Sequence, residues 1–69
     1  MKTIAEIIKE KREAQGWTRQ ELAEIAGIGV TTLGYYETGR GYPGIMNAIQ
    51  LADAFGCTLD ALVGRRRPS

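Results

Sequence analysis

The segment between Thr18 and Gly39, TRQELAEIAGIGVTTLGYYETG, most constrains how this chain can fold. It has the periodicity of two short amphipathic helices. Thr18 and Glu21 predict a capping box at the start of the first helix. Gly27 follows that helix where a left-handed C-cap residue belongs, and it gives a short turn that lets the two helices cross steeply. The segment therefore has the sequence form of a helix-turn-helix.

Glycines divide the rest of the chain in the same way, because a glycine often follows the last turn of a helix. The predicted helices run from about Ile4 to Gln15, Arg19 to Ala26, Val30 to Thr38, Ile45 to Phe55 and Leu59 to Val63. The residues that the fourth helix is expected to bury are Ile45, Ile49 and Ala52, with Met46 as a further candidate. We predict an all-α fold, a compact five-helix domain over residues 1–64, followed by a basic, disordered tail at residues 65–69.

The residue composition excludes several classes of site. A single cysteine, Cys57, rules out an internal disulfide and a cysteine-cluster metal site, and the absence of histidine removes imidazole ligands and general bases. We therefore expect no catalytic residues, no metal, no cofactor, no small-molecule ligand and no enzyme activity. No apolar run is long enough to span a membrane and no signal-peptide pattern opens the chain, so we expect a cytoplasmic protein with no membrane partner.

The distribution of charge differs from what the net charge of +1 suggests. Three of the nine basic residues are the arginines at positions 65–67, so residues 1–64 hold six basic and eight acidic side chains, a net charge of −2. A mildly acidic body lacks the strong positive field of a tight nonspecific DNA binder. Because of this charge balance, a module that binds another protein is an alternative to a DNA-binding function.

Several short motifs occur in register along the chain. They are Arg12, Gly16-Trp17-Thr18, Glu21-Leu22-Ala23, Gly27-Ile28, Thr32-Leu33, Tyr36-Glu37-Thr38-Gly39, Pro43, Leu51-Ala52 and Phe55 to Leu62. With these residues the chain resembles the lambda-repressor-like helix-turn-helix family, also called the xenobiotic-response-element or Cro type, from about Ile4 to Val63. The resemblance implies a five-helix DNA-binding domain whose third helix is the recognition helix. It also implies a structural ion pair between Arg12 and Glu37. A guanidinium is well suited to pair with a partly buried carboxylate, because its planar donors match the two oxygens.

The resemblance further implies which side chains contact DNA phosphates. The first residue of the second helix is commonly a glutamine in the family, and Arg19 takes that place here. The end of the third helix and the loop after it form the other contact, which gives Thr38 and Arg40 the same role, and Tyr42 offers a further hydroxyl. Phosphate contacts of this kind set the register of a protein on duplex DNA.

Base reading falls to the outward face of the third helix, where the resemblance implies Val30, Thr31, Gly34 and Tyr35. Relatives often carry glutamine, arginine, asparagine, serine or lysine there, whereas this face offers no amide or guanidinium for a bidentate contact with adenine or guanine. Val30 and Thr31 can meet thymine methyl groups instead. Gly34 costs a helix interior about 1 kcal/mol relative to alanine, and it can let the helix approach the bases closely.

Two functions follow from these observations. The first is sequence-specific binding of double-stranded DNA by a small transcriptional regulator, which we expect to be a repressor. We expect it to act as a homodimer. Its expected location is the cytoplasm of a prokaryotic or phage system, at the nucleoid. The dimer patch implied by the resemblance contains Phe55, Cys57 and Leu59. The alternative is a protein-interaction module on the same fold, in which Tyr35 and Tyr42 belong to an apolar binding surface.

Overall fold

The computed structural model of the chain describes residues 2–63, and within that range it contains five α-helices and no strand. The helices are α1 (Ile4–Ala14), α2 (Arg19–Ala26), α3 (Val30–Glu37), α4 (Ile45–Phe55) and α5 (Leu59–Val63). The predicted all-α fold is confirmed, and α1 and α3 each end one residue earlier than the sequence indicated, with Gln15 and Thr38 as C-caps. The predicted tail at residues 65–69 lies outside the described residues. None of the five helices is long and apolar enough to cross a bilayer.

Local sequence signals fix the starts of the first two helices. Thr3 and Glu6 form the capping box of α1, in which the Glu6 amide donates to Thr3 Oγ1 at 3.2 Å. Thr18 and Glu21 form the capping box of α2, in which the corresponding distance is 3.1 Å. These bonds satisfy backbone amides that have no acceptor inside the helix. The capping box predicted at Thr18 and Glu21 is therefore confirmed, and α1 begins with the same motif.

Each helix contributes one large side chain that is completely buried at the centre of the domain. These side chains, from α1 to α5 in order, are Ile8, Leu22, Leu33, Leu51 and Leu62. The main contacts between helices form a closed ring, in which α1 packs on α3 and α5, α2 packs on α3 and α4, and α4 packs on α5. Asn47 on α4 donates a hydrogen bond to the buried hydroxyl of Tyr36 on α3, at 2.8 Å. The core therefore joins all five helices in one unit.

The buried face of α4 differs from the prediction. Of the side chains expected inside, Ile45 (66% exposed) and Met46 (67%) are largely exposed, and Ile49 is partly exposed (38%). Ala52 is buried as predicted, but its buried neighbours on the helix are Ala48 and Leu51. Apolar residues cover a wide arc of this helix, so two overlapping stripes satisfy the same helical period. The structure buries the stripe that contains the small alanines, because small side chains let α4 approach its neighbours closely.

Candidate nucleic-acid interface

The turn between α2 and α3 sets the orientation of the third helix. Gly27 has a φ of 71°, in the left-handed region that glycine adopts without strain, and the Ile28 amide donates to the Ala23 carbonyl at 3.0 Å. Helix α3 then begins after Gly29, which has no side chain that could cap it. It packs on α1 and α2 with Leu33 completely buried, so its opposite face is turned outward.

A shallow, open concavity lies on the outward face of α3. Its lining residues are Arg19, Val30, Thr31, Gly34, Tyr35, Thr38 and Arg40. They include all four residues predicted to read bases and three of the four predicted to contact phosphates. Tyr42, the remaining one, is 79% exposed and does not line the concavity. The structure thus brings side chains from two helices and the following loop into one surface.

The chemistry of this concavity differs from that of the whole chain. Val30 and Tyr35 expose about half of their surface there, and Thr31 adds a methyl and a hydroxyl group. The charged residues that line it are Arg19 and Arg40, and no acidic residue lines it. The concavity therefore combines exposed apolar side chains with two positive charges, although residues 1–64 carry a net charge of −2.

Behind this surface, the carboxylate of Glu37 is completely buried and bound by two arginines. Arg12 donates through Nε to Oε2 at 2.8 Å and through Nη2 to Oε1 at 3.1 Å, and its Nη1 donates to the Trp17 carbonyl at 2.7 Å. Hydrogen bonding to Glu37 raises the pKa of the Arg12 guanidinium above its ordinary value. The ion pair that the resemblance implied is present, and it joins α1 to the last residue of α3.

Arg19 is the second cation on this carboxylate, and sequence reasoning missed that contact. Its Nε donates to Oε1 of Glu37 at 3.2 Å. The two residues are far apart in the chain, so no local pattern connects them. The one signal in the sequence is an arginine at a position where the resemblance implies a glutamine. Arg19 thus belongs both to the concavity and to the buried ion-pair network.

Backbone and hydroxyl donors at the end of α3 are already used inside the helix. The Thr38 hydroxyl donates to the Gly34 carbonyl at 2.8 Å, and the Thr38 amide donates to the same carbonyl at 3.1 Å. The Arg40 amide donates to the Tyr35 carbonyl at 2.9 Å. The donor that this segment offers to an external anion is therefore chiefly the Arg40 guanidinium.

The residues assigned to a dimer patch are only partly available. Phe55, Cys57 and Leu59 are each half-buried and pack against the core. The Phe55 ring stacks on Trp17, with ring centroids 6.2 Å apart and an interplanar angle of 17°. Much of this patch is therefore engaged within the domain itself.

Residues 2–63 contain no group of histidine, cysteine, aspartate and glutamate side chains that could hold a metal ion. Cys57 is a free thiol. No buried side-chain nitrogen or oxygen atom in this part of the chain lacks a hydrogen-bond partner. Its buried polar side chains are thus satisfied by the protein itself.

Comparison with known proteins gives a family match over most of the chain. Residues 8–62 match the family model described as Helix-turn-helix, HTH_3. The chain is 36% identical over 62 residues to the cryptic phage CTXphi transcriptional repressor RstR of Vibrio cholerae, covering 90% of this chain and 55% of that protein. It is 35% identical over 60 residues to the HTH-type transcriptional regulator AnsR of Bacillus subtilis, covering 87% and 52%. The chain thus spans about half the length of the curated relatives it matches.

Solved structures with the same fold extend this comparison. The P22 c2 repressor in complex with a synthetic operator superposes with a TM-score of 0.86 at 21% identity, covering 91% of this chain and 96% of that one. A transcriptional regulator from Listeria innocua superposes with a TM-score of 0.83 at 28% identity, covering 97% and 63%. With its fold, its family match and its relatives in agreement, the chain belongs to the lambda-repressor-like helix-turn-helix family.

Proposed function

We propose that this chain binds double-stranded DNA sequence-specifically, as the DNA-binding part of a small transcriptional repressor, with α3 docked in the major groove. The observation that carries the proposal is the concavity on α3, which gathers two arginines and no acidic side chain around an exposed helix face. The major groove admits one α-helix, and phosphates flank it on both sides. Relatives named as a transcriptional repressor and a transcriptional regulator support the same function.

The residues proposed to contact phosphates occur before the recognition helix, at its end and after it in the sequence. Arg19 begins α2 and Arg40 follows α3, and both residues line the concavity on the recognition helix. Guanidinium forks suit phosphate oxygens. Tyr42 adds an exposed hydroxyl, and Thr38 ranks behind the others because its hydroxyl proton is donated to the Gly34 carbonyl.

The proposed base contacts are apolar in character. Val30 and Thr31 would meet thymine methyl groups, Tyr35 would donate its hydroxyl to a base or phosphate, and Gly34 would let the helix lie close to the base edges. We therefore propose a reader that favours thymine and DNA shape. A domain of this size reads few base pairs, so useful specificity requires two copies on two half-sites, a homodimer on DNA with Phe55, Cys57 and Leu59 near its contact. Such a repressor would act in the cytoplasm of a prokaryotic or phage system, at the nucleoid.

A titration of DNA against an Arg19→Ala, Arg40→Ala double variant tests the proposal. The probe is a duplex selected by the wild-type chain from a random pool, in which we expect thymine at fixed positions. We expect the double variant to lower the slope of log affinity against log salt by about two, since each lost phosphate contact removes about 0.9. A Lys2→Ala, Lys9→Ala variant removes the same charge outside the concavity and is the control. Equal slopes for the two double variants, or a guanine selected at a fixed position, would contradict these assignments.

A second candidate function is a protein-interaction module on the same fold. The observation that favours it is the exposed apolar surface of Tyr42, Ile45 and Met46. The same titration separates the two functions. A folded wild-type chain that binds no duplex even at low salt would support the interaction module.

A further inference from the structure

The Glu37 carboxylate has more cations than its burial requires. Arg12 alone engages both carboxylate oxygens, at 2.8 and 3.1 Å, and is itself mostly buried. Arg19 nevertheless donates its Nε–H to Oε1 at 3.2 Å, although 43% of its side chain is exposed. An ion pair with an exposed partner adds little to stability, because water and salt compete for its charge. The Arg19 contact is thus poorly explained as a stabilising one.

The contact does fix where the Arg19 guanidinium lies. Its Nη1 is 3.8 Å from the position that a Cβ atom would take on Gly34, so the group lies beside the middle of α3. Nε is bound to Glu37, whereas neither Nη group has a hydrogen-bond partner within residues 2–63. Two donor groups are therefore held at the concavity without a partner in the described part of the protein.

We infer that Glu37 is a positioning residue for DNA binding, which holds the Arg19 guanidinium so that its Nη groups meet a DNA phosphate. This inference rests on the proposed function. A guanidinium is a planar, rigid fork, so a bond through Nε fixes its plane and leaves donors that match phosphate oxygens. Because the side chain is ordered beforehand, less conformational entropy is lost when DNA binds. Two arginines on one carboxylate also leave a net positive charge at the surface.

The sign of a charge change separates this role from general electrostatics. Glu37→Gln removes a negative charge behind the proposed interface, so long-range electrostatics alone would strengthen DNA binding. Loss of a fixed guanidinium would weaken it. Glu24→Gln is the matched control, since Glu24 is exposed on α2 and has no ion pair with an arginine within residues 2–63. We expect Glu24→Gln to bind the duplex at least as tightly as wild type.

A double-mutant cycle of Glu37→Gln and Arg19→Ala tests the inference on the selected duplex, at a temperature where circular dichroism reports folded protein. We expect Glu37→Gln to weaken binding about tenfold when Arg19 is present, the effect of a charge-assisted hydrogen bond. In the Arg19→Ala background we expect no loss. An equal loss in both backgrounds would mean that Glu37 acts only by holding α3 through Arg12, which would overturn the inference. Unchanged or tighter binding by the single variant would overturn it as well.

Arg19→Lys is an independent variant that leaves the Arg12–Glu37 pair in place. It keeps the positive charge but lacks the Nε–H and the planar fork, so we expect its affinity to lie within about threefold of that of Arg19→Ala. Wild-type affinity for Arg19→Lys would contradict the inference even if Glu37→Gln did not fold. Failure of the wild-type chain to bind any duplex at low salt would instead refute the proposed function, and the inference with it.

Discussion

Glu37 contributes both to the stability of the domain and to the proposed function. Its side chain is buried at the end of α3, where Arg12 from α1 donates two hydrogen bonds to the carboxylate oxygens. A buried carboxylate without a cation is strongly destabilising, whereas a paired one is tolerated. The same carboxylate binds Arg19 at the surface. One side chain therefore connects the packing of α1 on α3 to the guanidinium that we assign to DNA.

Arg12→Ala should lower the free energy of unfolding by about 3 kcal/mol, because Glu37 would stay buried with only the weaker contact from Arg19. Urea denaturation followed by circular dichroism measures the loss. Lys2→Ala is the control, since it removes the Lys2–Glu10 pair, whose two side chains are mostly exposed, and it should cost about 1 kcal/mol or less. Similar small losses for the two variants would show that the buried pair does not hold α1 on α3.

The helices themselves could be predicted from the sequence because their signals are local. The threonine capping boxes and the glycine at position 27 act within a few residues of each helix end, and the structure reproduces them. The rotation of α4 could not be predicted, because its apolar side is wide and only packing against other helices selects which part of that side is buried. The Arg19–Glu37 contact could not be predicted for the same kind of reason, since it depends on how α2 and α3 cross.

Gly34→Ala should separate the stability of α3 from its proposed role in binding. A methyl group at this position would lie 3.8 Å from Arg19 Nη1, an ordinary van der Waals contact. We therefore expect the variant to be more stable by about 0.5–1 kcal/mol, as alanine is favoured over glycine inside a helix. We also expect it to bind the selected duplex more weakly, because the methyl group lies on the face that would approach the bases.

Thermal unfolding and DNA titration of the same Gly34→Ala preparation measure both effects. Gly27→Ala serves as the comparison, since its φ of 71° should make alanine destabilising by about 1 kcal/mol. A gain in stability with undiminished DNA affinity would mean that α3 needs no close approach at Gly34.

At the scale of the whole domain, the five helices form a closed ring around a shared core. Every helix packs on two others and supplies one completely buried side chain. No helix can therefore detach from the domain without breaking its contacts with two other helices. A domain of this size has only a small margin of stability, so such a loss should unfold the whole unit cooperatively.

Leu51→Ala should lower the free energy of unfolding by about 2–5 kcal/mol, because it leaves a cavity in this shared core. Ile49→Ala, two residues earlier on the same helix, should cost about 1 kcal/mol, since that residue is 38% exposed and lies outside the buried core. Urea denaturation of the two variants side by side gives the comparison. The reverse order would mean that α4 buries the stripe that the sequence pattern first indicated.

Because α3 is short, its outward surface depends on the rest of the folded domain. The helix has eight residues, and its N-cap residue Gly29 forms no side-chain hydrogen bond. Isolated helices shorter than about 12 residues are marginal in water, so a peptide of residues 30–37 would be mostly random coil. The surface that we propose to face the DNA groove is thus a property of the intact domain and is lost whenever the domain unfolds. Heat, proteolysis or a destabilising mutation would remove recognition in a single step, leaving no partly active form.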